Sequence, residues 1–460
     1  MSTQENLIRP NAQQSHFKAL LALCTLFLVN QTRWIWHSLY FQNHTLAEIV
    51  ISLGLMLVLI ITSIALLRLV LGQVISYKVT NVGIALMFIL VVMRYLQQIE
   101  LIPAQTTILH KTLLLASALT AGLLTLKISL DIWKRLHLAI IAGGLVFIFF
   151  PVLLAKILAP TVYWPSPSDQ APTEEAPMVP AQNTIVLLLD ELSASAAEPV
   201  VDQLKEAGLH VTTSNIDPAG KNTINVIPAI WTRSNFDHST PCGPTQLCSA
   251  SHVLDFAMVQ ASTENIDIIA FFHRYCSIQG LRSCSFTPLP TKSAGTELAC
   301  SFPGINRLDF LGCGDKTAIR ALFISLNDNM QNKLLEAPFW EKGGILFAHL
   351  LVPHPLMGVP SKSLNDEYTD NIANGAQVVK LVAQKSKLVF GKNFRIIVFS
   401  DHPLRPEMWC AKENYTEIDC MTDAAKISTQ VPLIIASPTV EKKNRNTIQN
   451  NQDVFDLLFR

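Results

Sequence analysis

The hydrophobic pattern of the chain changes character near residue 160. Before it, apolar residues come in long runs near 18–40, 46–72, 79–99, 107–127 and 137–158. Each run is close to the roughly 20 residues that cross a bilayer as a helix. The pattern predicts about five transmembrane helices within residues 1–158, although Asn30, Gln31 and Arg33 interrupt the first run. A cleaved signal peptide is not expected, because no small-residue cleavage site follows the first run and further runs come after it. Buried core helices of a soluble domain are the alternative, but five such runs in succession disfavour it.

"APTVYWPSPSDQAPTEEAPMVPAQ", residues 159–182, is rich in proline, small residues and acids and reads as an extended linker. From residue 183 the apolar runs shorten to strand length. "TIVLLL" (184–189), "LHVTTSNI" (209–216), "IDIIAFF" (266–272), "GILFAHLL" (344–351), "RIIVFS" (395–400) and "VPLIIAS" (431–437) are candidate strands. Helical stretches near 196–208, closed by Gly208, near 366–387 and near 420–428 fall between them. Alternation of this kind predicts an α/β domain over 183–460, its largely parallel sheet covered by helices on both faces. Residues 232 to 316 read as loop-rich.

Composition adds a location. Half of the residues are hydrophobic, 15% are charged and mean hydropathy is +0.32, with the excess in the first third. Thirty-five basic residues balance 35 acidic ones, so no broad basic field argues for nucleic acid. With the amino terminus inside, the cytoplasmic flanks hold Arg9, Lys18, Arg68, Lys78, Lys127, Lys134 and Arg135, against Arg33, Arg94, Lys111 and Lys156 outside. That bias puts residues after 158 on the outer side, in the periplasm or outside the cell. The cysteines agree: Cys24 lies in the first run, and the other eight (Cys242, Cys248, Cys276, Cys284, Cys300, Cys313, Cys410 and Cys420) lie beyond it without a zinc-type CxxC. Local bridges are expected between Cys242 and Cys248, and between Cys410 and Cys420.

Three strands end in metal-ligand chemistry. "LLLDEL" delivers Asp190 and Glu191, "FAHLLVPHP" delivers His349 and His354, and "VFSDHP" delivers Asp401 and His402. Carboxylate with imidazole suits zinc, and carboxylates with oxygen donors suit manganese, magnesium or calcium. Alone, an Asp-Glu pair after a strand can be a helix cap, and a lone histidine is commonly structural. Three such endings on one edge of a parallel sheet, where open α/β folds bind ligands, are harder to attribute to caps.

With these residues in place, the chain from about 183 to 438 resembles the sulfatase branch of the alkaline phosphatase superfamily, which includes membrane-anchored phosphoethanolamine transferases. The order of motifs carries the resemblance: acids after the first strand (Asp190, Glu191), a histidine and a "VPHP" segment (His349, His354), a loosely matched Tyr-Asn-Ile helix from Tyr368, then Ser400-Asp401-His402. It implies a divalent metal, zinc or manganese first, held by Asp190, Glu191, Asp401 and His402. His349 and His354 would bind the transferred group or a second metal.

The resemblance also implies a nucleophile after the second strand, where "AGKNTINVIPAIWTR" (219–233) stands, and assigns that role to Thr223. Thr212, Thr213 and Ser214 are less well placed, being in the strand. Lys221 is near enough in sequence to neutralise an anionic ester. Two departures qualify the match. No Cys or Ser precedes x-Pro-x-Arg near residue 220, which argues against a formylglycine sulfatase, and no histidine precedes "VPLIIAS". The expectation is a membrane-anchored hydrolase or transferase of phosphate or sulfate esters, drawing on a phospholipid donor and an envelope glycan or lipid acceptor. The rival is a non-catalytic envelope protein that keeps the fold for assembly.

Overall fold

The computed structural model describes residues 5–98, 120, 128–158, 183–232, 234, 236–237, 239–249, 252–288, 293–300, 316–355, 363–411, 428–439 and 451–458. The chain divides into two compact units, residues 1–37 with 44–158, and residues 38–43 with 159–460.

The first unit contains the helices α1 (Glu5–Tyr40, whose residues 38–40 belong to the second unit), α2 (Leu46–Gln98) and α3 (Leu130–Leu158). Ala19, Ala22, Leu26, Ile84 and Trp133 form its packed centre. Gly72, at φ 75° and ψ 170°, interrupts α2 with a backbone that a side chain rarely adopts. The break falls between the two expected runs 46–72 and 79–99. Two helical segments, Ser15–Tyr40 and Leu46–Gly72, are long and apolar enough to cross a membrane, with mean hydropathies of 1.2 and 2.8. Only 17% of the most apolar window in the second is buried, whereas a core helix of a soluble domain would be mostly enclosed. The expected run 107–127 and the linker 159–182 lie outside the described residues, apart from residue 120.

The second unit is built on a seven-stranded sheet. Its strands are β1 (Asn183–Leu189), β2 (His210–Ile216), β6 (Ile266–Phe271), β7 (Ser283–Thr287), β8 (Ile345–Leu350), β9 (Phe394–Phe399) and β10 (Val431–Ser437), in the order β2-β10-β9-β1-β8-β6-β7. Strands β9, β1, β8, β6 and β7 are parallel neighbours, and β10 runs antiparallel to both β9 and β2. The sheet is therefore mixed, with β10 alone reversed. β1 is buried on both faces: Ile185, Leu187 and Leu189 enter one core, Val186 and Leu188 the other. The first core takes Val200 and Leu204 from α4 (Glu198–Glu206), Met330 and Leu334 from α7 (Lys316–Glu336), and Val379 and Val382 from α8 (Leu364–Phe390). The second takes Val226, Ile227 and Trp231 from α5 (Thr223–Thr232) and Phe455 from α10 (Asn451–Leu458). Helix α6 (Ala294–Cys300) lies between β7 and α7 in the chain, and α9 (Pro406–Ala411) follows β9.

Two features depart from the expected pattern. The region from 232 to 316, read as loop-rich, contains β7 and a small antiparallel sheet of β3 (Thr240–Pro241), β4 (Gln246–Cys248) and β5 (Val253–Asp255). β7, "SCSFT", has no apolar run, so its pairing along β6 is a tertiary outcome. Cys242–Cys248 is bridged as expected, and Cys276–Cys284, which was not foreseen as a pair, ties β7 to the segment after β6. Cys410 is disulfide-bonded as well, while Cys420 and the expected helix near 420–428 lie outside the described residues, residue 428 excepted.

Candidate metal centre and nucleophile at the strand ends

In the parallel register Leu188 of β1 stands opposite both His349 of β8 and Phe399 of β9. Asp190, His349 and Asp401 consequently emerge at nearly one level, at the carboxyl edge of the sheet. The exits are tied together. Leu192 N–H donates to Ser400 Oγ (2.9 Å), Glu191 N–H to Asp401 Oδ1 (3.3 Å), and Tyr368 Oη–H to the Glu191 carbonyl (2.8 Å). Glu191 itself has φ 65°, an uncommon conformation for a side chain, held here by this network.

Asp190, Asp401 and His402 offer one ligand atom each within 4.8 Å of one another, and all three are buried. His402 sets the geometry. Its Nδ1–H donates to the Pro403 carbonyl (3.1 Å), which leaves a lone pair on Nε2. Around Nε2 stand Thr223 Oγ1 at 3.2 Å, Asp401 Oδ2 at 3.5 Å and Asp190 Oδ1 at 3.9 Å, and Thr223 Oγ1 is 3.3 Å from Asp190 Oδ1. Ligands about 2.1 Å from a zinc ion in a tetrahedron stand about 3.4 Å apart. Two carboxylates, an imidazole and a hydroxyl at these spacings fit such an ion.

The electrostatics point the same way. Burial, then the charges of Asp401 and Glu191, push Asp190 well above the ordinary carboxylate range. Burial alone would raise Asp401 too. The charges of His402 and His349 and its hydrogen bonds instead bring it below the ordinary value. A buried cation relieves the mutual repulsion of these acids.

The other expected residues take separate places. Glu191 is fully buried, but its carboxylate lies on the far side of the imidazole, 4.0 Å from Nδ1, and accepts the Trp409 indole N–H at 2.9 Å. His349 is fully buried and within hydrogen-bond reach of Tyr275 Oη through Nδ1 (3.3 Å); its Nε2 has no hydrogen-bond partner among the described residues. Burial brings its pKa down to about 4, against a raising effect of Asp401. His354 packs edge-on against Trp409, with ring centroids 4.8 Å apart. Lys221 is exposed, and the neighbouring Asn222 accepts instead from Arg405 Nη2 at 2.6 Å. Thr212, Thr213 and Ser214 are exposed on the edge strand β2.

His273 went unnoticed in the sequence. It ends β6 as the other histidines end theirs, in "IIAFFHRY", and is fully buried with its ring stacked on His349 at 6.4 Å. A count of all strand ends, β6 included, would have found it.

No family model and no curated protein matches the chain. Among solved structures, the chain is similar to the C-terminal periplasmic domain of EcEptC from Escherichia coli in complex with Zn, at 13% identity and TM-score 0.31, covering 56% of this chain and 73% of that one. It is also similar to the C-terminal periplasmic domain of phosphoethanolamine transferase EptC from Campylobacter jejuni, at 13% identity and TM-score 0.29, covering 56% and 80%. Similarity at this level says nothing about what the chain does, and the functional reading rests on the geometry of the site.

Proposed function

We propose that this protein is a membrane-anchored, metal-dependent transferase or hydrolase of phosphate or sulfate esters, with Thr223 as nucleophile. The placement of Thr223 carries the reading. It opens helix α5, and its hydroxyl faces two acceptors in the ligand cluster, Asp190 Oδ1 at 3.3 Å and His402 Nε2 at 3.2 Å. Asp190, Asp401 and His402 would hold a divalent ion, which would supply Lewis acidity and lower the pKa of a nearby hydroxyl.

The residues of the chain do the rest. Asp190, whose protonation burial already favours, takes the Thr223 proton. Oγ1 then forms a bond to phosphorus or sulfur as the bond to the leaving oxygen breaks, and that oxygen leaves with the proton that Asp190 took. An acceptor hydroxyl, or water, next attacks the covalent threonine ester and returns the proton to Oγ1. His349 Nε2, buried and unpartnered, is a donor or acceptor for the transferred group. The apolar segments Ser15–Tyr40 and Leu46–Gly72 favour a bilayer anchor and a lipid-linked donor with an envelope acceptor. The disulfides Cys242–Cys248 and Cys276–Cys284 favour an oxidising compartment for the α/β unit, on the outer side of the cytoplasmic membrane.

The test uses the full chain in detergent, with bound metal measured and with 4-nitrophenyl phosphate and 4-nitrophenyl sulfate as substrates, each with and without chelator. Thr223→Ala is expected to keep most of the metal and lose turnover, and Thr223→Ser to retain some. Full turnover by Thr223→Ala would refute the assignment of the nucleophile. Neither metal nor turnover in the native protein would leave the scaffold role instead.

A further inference from the structure

At the backbone of Thr223 two buried hydrogen bonds run in series. Tyr40 Oη lies 2.9 Å from His273 Nδ1, and His273 Nε2 lies 3.0 Å from the Thr223 carbonyl. A carbonyl only accepts, so Nε2 carries the proton and Nδ1 accepts from the tyrosine hydroxyl. One neutral tautomer satisfies both bonds. Tyr40 and His273 are fully buried, and residues 38–43 belong to the same compact unit as 159–460. Tyr40 and Phe41 are part of the core that also holds Val226 and Trp231 of α5.

The start of α5 needs such support. Pro228 lies inside the helix and has no N–H, so the Ile224 carbonyl lacks its usual helical donor and accepts from Ser239 Oγ at 2.7 Å. Beside its own backbone bonds to Asn222, the first turn is thus also held from outside the helix, by Ser239 at Ile224 and by His273 at Thr223. The direction of the Thr223 carbonyl helps set its Cα–Cβ bond, the origin from which the χ1 rotamer places Oγ1.

We propose that Tyr40 and His273 are a positioning pair that sets the backbone of Thr223, which makes residue 40 part of the apparatus that aims the nucleophile. The inference rests on the role proposed for Thr223. It goes beyond that role in naming what orients the hydroxyl and in drawing a residue from before position 44 into the site.

The experiment compares His273→Ala, His273→Gln, Tyr40→Phe and the Tyr40→Phe/His273→Ala double variant in the full chain in detergent. The readouts are kcat and KM for 4-nitrophenyl phosphate, bound metal, and amide hydrogen exchange over residues 223–232. Misplacing a reacting group by about 1 Å costs ~100-fold. His273→Ala should therefore lower kcat by about that factor, keep KM and metal, and speed exchange in the first turn of α5. His273→Gln restores an N–H donor and should recover much of the loss. Tyr40→Phe removes one ordinary hydrogen bond and should cost about fivefold. It should add nothing in the double variant.

Unchanged kcat and exchange in His273→Ala would overturn the pair. So would metal loss in that variant, equal defects in the Ala and Gln variants, or additive losses in the double variant. If His273→Ala fails to fold, Tyr40→Phe decides: native kcat and native exchange in it reject the proposal. The two readings fail separately. Full turnover in Thr223→Ala removes the nucleophile, whereas a dead Thr223→Ala beside a native His273→Ala removes only the pair.

Discussion

Buried acids sit at both ends of the parallel strands of one sheet. Asp267 lies near the amino end of β6, fully buried, and is answered in full: Arg282 Nε donates to it at 3.0 Å, Arg282 Nη2 bonds its other oxygen, and Ser283 Oγ donates at 2.7 Å. Asp190 and Asp401 lie past the carboxyl ends of β1 and β9, equally buried. They face each other, a histidine and a hydroxyl. A carboxylate that folds together with its own arginine is a finished structural joint. Two carboxylates that share one imidazole still lack charge, which an ion of two positive charges would supply. Burial alone therefore does not mark a site; burial without a built-in counter-charge does.

The strongest way to break the comparison is to neutralise one acid at each end. Asp401→Asn should abolish metal binding and lower turnover by at least about 1,000-fold, since it removes a ligand from the cluster. In chelated protein the same change should cost no more than about 1 kcal/mol, because the repulsion it relieves at Asp190 offsets the favourable contacts that Asp401 makes with the histidines and the Glu191 N–H. Metal analysis and denaturant unfolding of the one variant read both halves. Destabilisation of the metal-free form by several kcal/mol would show that Asp401 is a structural joint after all.

Asp267→Ala should behave in the reverse manner. It strands Arg282, which is 15% exposed, and should cost about 3–5 kcal/mol of stability while the folded fraction still binds metal. Guanidinium unfolding with metal titration checks it, and a loss below about 1 kcal/mol would remove the contrast.

A smaller effect sharpens it. The folded-state pKa of Asp190 is raised above its ordinary 3.8 by burial and by Asp401 and Glu191. Between those two values the folded state holds more protons than the unfolded state. The contribution of Asp190 is thus fully present below the unfolded pKa and is lost as pH rises through the folded one. Chelated protein should lose stability with rising pH across that window, and bound metal should flatten the loss. Stability of the chelated form that rises through the window would contradict the electrostatic picture of the site.

Much of the domain was legible because its information is local. Four- to eight-residue apolar runs mark buried strands, and the polar residues directly after them stand at the sheet edge, so Asp190, Asp401 and His402 could be found from "LLLDEL" and "VFSDHP". The six strands expected from sequence lie within a residue or so of their observed bounds. β7 was missed because a polar edge strand carries no periodic signal and is chosen by its neighbour. Glu191 shows the limit of counting adjacent acids: the turn at φ 65° sends it to Trp409, on the other side of His402.

What the sequence by itself determined was which strands are buried, where each of them ends, and which side chains stand at those ends. The physical reason is that hydrophobic burial and strand alternation are encoded within a few neighbouring residues. Tertiary structure decided which of those side chains meet. Asp190 and Asp401 are brought together by the pairing of β1 with β9, across a separation of 211 residues. Tyr40 reaches His273 across 233 residues, and His273 reaches Thr223 across 50. The same holds for charge. Whether a buried acid finds an arginine, as Asp267 does, or another acid, as Asp190 does, depends on chain segments with no local relation to it. Counter-charge is a property of distance in space, and only the folded chain has those distances.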